Sequence, residues 1–69
     1  MPLTFVKEGE SYSIKKVGGK GNTRQFLENL GFVAGAGVTV ISAAAGNLIV
    51  DIKDSRVAIG RDMASRIMV

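Results

Sequence analysis

This sequence predicts a mainly β fold: a small, partly closed antiparallel barrel of about five strands with one short α-helix. Three observations carry that expectation. Short runs rich in β-branched residues recur along the chain, around 11–17, 38–41, 48–52, 56–59 and 67–69. Nine glycines in 69 residues break those runs into hairpin-length pieces. Only one window, 23–30, places apolar residues at helical spacing.

The first strand is expected at 11–17, where Ser11-Tyr12-Ser13-Ile14 alternates. It follows the turn-like Lys7-Glu8-Gly9-Glu10 and runs into the glycine-rich loop 18–22. Asn22 or Thr23 can cap a helix by accepting an N–H bond from its first turn. Phe26, Leu27 and Leu30 then share one helical face toward the core. Gly31 is placed to end the helix in the left-handed conformation, with Phe32 packing back on Leu27.

Next comes a hairpin whose register can be written down. A three-residue loop Ala44-Ala45-Gly46, with Gly46 at positive φ, pairs Ala43 with Asn47. Val38, Val40, Val50 and Ile52 then fall on the core face, and Thr39 and Asp51 on the wet one. Ile41 opposite Ile49 lands on the wet side, which a simple two-faced sheet leaves unexplained. Such a pair either curls into the core or forms an exposed apolar patch of the kind that marks a protein contact. Asp54-Ser55 reads as another turn, 56–59 as a short strand, 60–65 as one helical or 3₁₀ turn, and 67–69 as the closing strand.

A chain of this length has room for one domain, 1–69, and buries only about 60% of its unfolded surface. It contains no cysteine and no histidine. Disulfides, thiolate metal sites and cysteine nucleophiles are excluded, and the commonest metal ligand and general base are missing. Nine basic residues against six acidic ones give a net charge of +3, which by itself does not prescribe nucleic acid. The absence of thiols fits a reducing, cytoplasmic setting. Met1 to Glu8 lacks the basic and apolar regions of a signal peptide. No charge occurs between Glu28 and Asp51, yet the β-branched runs there favour a water-soluble hairpin over a membrane span.

The loop 18–23 fails the P-loop pattern, because no Ser or Thr follows Lys20, and fails G-x-G-x-x-G at Arg24. The acids are Glu8, Glu10, Glu28, Asp51, Asp54 and Asp62, read as turn and surface carboxylates. Without imidazole they make no tight Fe²⁺ site, so neither a metal site nor a catalytic residue nor a cofactor is expected. Lys15, Lys16, Lys20 and Arg24 form a basic run free of acids between Glu10 and Glu28. That run and the Ile41/Ile49 pair are the candidate partner-binding residues.

Segment 24–35, Arg24-Gln25-Phe26-Leu27-Glu28-Asn29-Leu30-Gly31-Phe32-Val33-Ala34-Gly35, resembles the FeoA-family signature, in which Leu-Gly-Phe is followed by Pro-Gly. So do Val38-Thr39-Val40-Ile41, Val57-Ala58-Ile59 and the ending Ala64-Ser65-Arg66-Ile67-Met68-Val69. Two turns depart from the pattern: Ala34 stands where proline is frequent, and Asn47-Leu48 where Asp-Pro is. The resemblance implies an SH3-like barrel, here in free-standing form without the helix-turn-helix and metal-binding parts of DtxR-type repressors. It also implies a cytoplasmic, non-enzymatic accessory of bacterial ferrous iron uptake. Its partner would be a FeoB-type permease with a cytoplasmic GTP-binding domain, with membrane contact only through that partner and no nucleic acid. The alternative is a small basic barrel that binds nucleic acid.

Overall fold

The computed structural model describes all residues, Met1–Val69. A 3₁₀ turn at Leu3–Phe5 precedes β1 (Ser11–Ser13), β2 (Lys16–Val17), α1 (Gly21–Leu30), β3 (Gly37–Ala44), β4 (Asn47–Ile52), β5 (Ser55–Gly60), α2 (Arg61–Ala64) and β6 (Ile67–Met68). The strands form a four-stranded antiparallel sheet in the order β1-β3-β4-β5 and a two-stranded ribbon of β2 and β6. The barrel is not closed, but the architecture is SH3-like. A core cluster of 14 buried hydrophobic residues includes Leu3, Ile14, Leu27, Phe32 and Ile67.

The expected first strand is in fact two. Ile14 and Val17 lie three apart, so one continuous strand would send them to opposite faces. The chain instead leaves the large sheet at Ile14, whose N–H donates to Ala36 O at 2.9 Å and whose carbonyl accepts from Gly35 N at 2.8 Å. Lys15 N–H then donates to Met68 O at 2.7 Å, which starts the ribbon. The switch buries both Ile14 and Val17.

Helix α1 starts earlier than expected. Lys20 is its N-cap, with no side-chain cap bond, and Asn22 and Thr23 lie inside the first turn. Its core contact is centred on Leu27, which is fully buried, with Leu30 half-buried. Phe26 does not join that face: a 100° step turns it away from Leu27, and it is 50% exposed. The helix ends as expected. Gly31 sits at φ 108°, its N–H donates to Glu28 O, and Phe32 N–H donates to Leu27 O at 3.0 Å. Phe32 is buried beside Leu27 in the core cluster.

In the β3–β4 hairpin Val38↔Ile52, Thr39↔Asp51 and Val40↔Val50 pair as expected, and the four apolar members are buried. Beyond Val40 a β-bulge shifts the register, so Ser42 opposes Ile49 and Ala44 opposes Asn47. The loop is therefore Ala45-Gly46, with Gly46 at φ 84°. The next turn is Lys53-Asp54 rather than Asp54-Ser55: both residues have positive φ, 49° and 63°, and Ser55 already pairs with Ile52. Two left-handed residues match the twist of a tight hairpin, and aspartate tolerates that conformation.

Two substitutions test this frame by denaturant midpoints. Leu27→Ala removes a fully buried side chain and should cost about 2–5 kcal/mol. Gly31→Ala should cost at least ~1 kcal/mol, because its Cβ would meet Lys53 Cδ at 3.2 Å in a left-handed backbone. A neutral Gly31→Ala would contradict the helix ending.

Candidate functional site

Alternation along the large sheet separates its faces. Val38, Val40, Leu48, Val50, Ile52 and Ile59 point into the core. The outer face carries rows that run across the strands: Ser11-Thr39-Asp51-Arg56, Ser42-Ile49-Ala58 and Ala44-Asn47-Gly60. The bulge decides what stands beside Ile49. Ile41 is the extra residue and Ser42 takes its ladder place, so Ile41 and Ile49 do not form the expected ladder pair. Ile41 is half-buried, whereas Ile49 is 38% exposed between the small residues Ser42 and Ala58.

The bulge is held from outside the hairpin. Gly9 N–H donates to Val40 O at 2.7 Å, and Ala43 N–H donates to Glu8 Oε2 at 2.8 Å. The edge of β3 beyond β1 thus finds partners in the 7–10 turn. Glu8 had the sequence signature of an ordinary turn carboxylate. Nothing local could reveal its partner, which lies on another element.

At one end of the outer face lies an open cleft of about 610 Å³, lined by Ser11, Thr39, Asp51, Lys53, Asp54 and Arg56 with Ala36, Gly37 and Ile52. Its polar groups largely satisfy one another. Arg56 Nε meets Asp51 Oδ1 at 3.0 Å, and Ser11 Oγ meets Thr39 Oγ1 at 2.7 Å. The bond to Asp51, aided by its charge, holds the Arg56 guanidinium protonated even more firmly than usual. No group of three or more His, Cys, Asp or Glu residues is placed to hold a metal ion. The cleft offers hydrogen bonds and paired charges for recognition.

The basic run is brought only partly together. Lys15 and Lys16 open the β2–β6 ribbon, Lys20 caps α1, and all three are exposed. Arg24 differs, since its Nε meets Glu28 Oε2 at 3.2 Å one turn along the helix. Arg66 joins the group unannounced by the sequence. Its carbonyl accepts from Gly18 N–H at 2.7 Å, and a Cβ at Gly19 would lie 3.2 Å from its Cδ.

A model of the FeoA domain family matches residues 1–69. A Methanocaldococcus jannaschii protein, provisionally named Fe(2+) transport protein A, is 40% identical over 68 residues, covering 99% of this chain and 83% of that protein. The crystal structure of an iron uptake regulatory protein (FeoA) superposes with a TM-score of 0.92 at 30% identity, covering all of this chain and 93% of the other. FeoA from Stenotrophomonas maltophilia, described as an SH3 domain protein complexed with zinc, has a TM-score of 0.88 at 24% identity over 100% and 88% of the two chains. At that identity it speaks for the fold alone.

Two measurements check this geometry. Ile41→Ser and Ile49→Ser should each cost less than about 3 kcal/mol, read from denaturant midpoints, since neither side chain belongs to the buried core. A loss above about 4 kcal/mol in either would place that residue in the core. The second concerns Tyr12, the only tyrosine. Its hydroxyl donates to Glu10 Oε1 at 2.8 Å, and that bond, ahead of desolvation and the carboxylate charge, raises its pKa above the ordinary phenol value. The contact is present at neutral pH and is lost as pH rises through the raised pKa. Spectrophotometric titration should show Glu10→Ala lowering the midpoint, and an unchanged midpoint would remove the contact.

Proposed function

The chain belongs to the FeoA family of ferrous iron transport, and from that premise we propose that it binds and modulates the cytoplasmic part of a FeoB-type permease as a non-enzymatic interaction module. The observation that supports binding is the outer face of the large sheet. Ile49 stands exposed there among Ser42, Ala58, Asn47 and Gly60, so a partner's side chains can approach it without displacing bulk. Modulation requires only differential affinity: a module that prefers one nucleotide or conformational state of the permease shifts its population toward that state. The unpaired lysines Lys15, Lys16 and Lys20 sit elsewhere on the surface, where they steer an acidic partner and affect on-rate more than lifetime. The protein would act in the cytoplasm, at the inner face of the membrane that holds its partner.

Calorimetric titration against the cytoplasmic GTP-binding domain of the permease from the same cell tests this. Binding is expected, with Ile49→Ser weakening it by roughly tenfold and moderate salt weakening it little. Absence of binding in every nucleotide state would overturn the proposal. A steep log–log fall with salt on a nucleic-acid probe, together with no permease binding, would install the nucleic-acid reading instead.

A further inference from the structure

The ribbon of β2 and β6 carries a surface that the permease reading leaves largely unused. Lys16 pairs with Met68, and Pro2 forms a bridge to Met68 from the other side, so Lys16, Met68 and Pro2 stand in one row. Two residues along, Gly18 N–H donates to Arg66 O at 2.7 Å, which puts Arg66 on the same outward face as Met68. The Arg66 side chain lies over Gly19, and Lys20 follows directly. The opposite face, Val17 and Ile67, belongs to the core.

Lys15, Lys16, Lys20 and Arg66 are all exposed, and none has an acidic partner, since the ion pairs of the protein are Arg24–Glu28 and Arg56–Asp51. The acid nearest to Arg66 in sequence, Asp62, makes no ion pair with it. At the chain ends the Met1 ammonium donates to Val69 O at 3.0 Å. Beside these cations runs the amino-terminal arm, fixed to β6 by Val69 N–H donating to Met1 O at 2.8 Å. That arm holds two of the most exposed large hydrophobic residues, Met1 at 52% and Phe5 at 75%.

We infer that this end of the molecule is a direct contact surface for an anionic lipid membrane. Lys15, Lys16, Lys20 and Arg66 meet the headgroup phosphates, and Met1, Met68 and Phe5 enter the interface between headgroups and chains. The shape selects lipid over nucleic acid. A strand of nucleic acid needs a basic groove with aromatic platforms along it, but the concave part of this protein is the cleft at Asp51, Asp54 and Arg56, lined by other residues. A membrane needs only a shallow basic surface edged by apolar side chains, and exposed Met1 beside half-buried Met68 supplies that edge. This inference does not rest on the permease reading, because lipid alone suffices for it.

Co-sedimentation of the untagged chain with phosphatidylcholine vesicles, with and without phosphatidylglycerol, tests it. Binding is expected only with phosphatidylglycerol and should weaken as salt rises. Each cation near such a surface is worth about a factor of five, so Lys16→Gln with Arg66→Gln should lower partitioning about 25-fold. Lys15→Gln with Lys20→Gln should do the same, which keeps the test valid if one pair of changes disturbs folding. Lys53→Gln with Arg61→Gln removes equal charge elsewhere and should leave partitioning nearly unchanged. Equal losses in all three double variants would reduce the effect to net charge and overturn the inference. So would no binding to phosphatidylglycerol vesicles at low salt, or tighter binding to a single-stranded oligonucleotide than to vesicles. None of these outcomes touches binding to the permease domain, which contains no lipid in the preceding titration.

Discussion

The bulge in β3, and the two bonds that hold it, govern the surface of this protein. Gly9 N–H to Val40 O and Ala43 N–H to the Glu8 carboxylate fix an irregularity that the hairpin alone would not need. In an unbulged register Ile41 and Ile49 face each other on the wet side. With the bulge, the half-buried Ile41 becomes the extra residue, Ser42 takes its ladder place, and Ile49 is the one large apolar side chain exposed in its row. The extra residue also increases local twist, which suits a sheet that must curve around a core of 14 residues. A surface glutamate in a turn thus shapes a face on another element.

Much of the frame was legible because its determinants are local. Val38, Val40, Val50 and Ile52 declare the core face by alternation, and the paired strands bury all of them. Leu27, Gly31 and Phe32 declare the helix ending by offsets that backbone hydrogen bonds dictate. The same locality explains the failures. The break after β1 serves the burial of Ile14 and Val17, which no propensity at Lys15 announces. The exposure of Phe26 depends on where the core lies relative to the helix. The left-handed Lys53-Asp54 turn depends on the twist of two strands, and lysine gives no hint of it.

The candidate surfaces divide in the same way. Lys15, Lys16 and Lys20 are neighbours in sequence and stay exposed in the fold, but Arg24 turns to Glu28. Arg66 reaches the group only because β6 pairs with β2. Two distinct faces result: an outer sheet face of small residues around Ile49, and a basic end edged by exposed Met1. Under the two proposals, one face would meet the permease and the other the membrane, so that lipid contact would raise the module's effective concentration beside its partner.

On the proposed reading, the bulged outer face is where the permease binds. Amide chemical-shift mapping of the labelled chain, titrated with the permease's cytoplasmic GTP-binding domain, addresses it most directly. The largest changes should fall on Ser42, Asn47, Ile49 and Ala58. Changes confined to the Asp51–Arg56 cleft, or to the β2–β6 ribbon with the outer face silent, would contradict it.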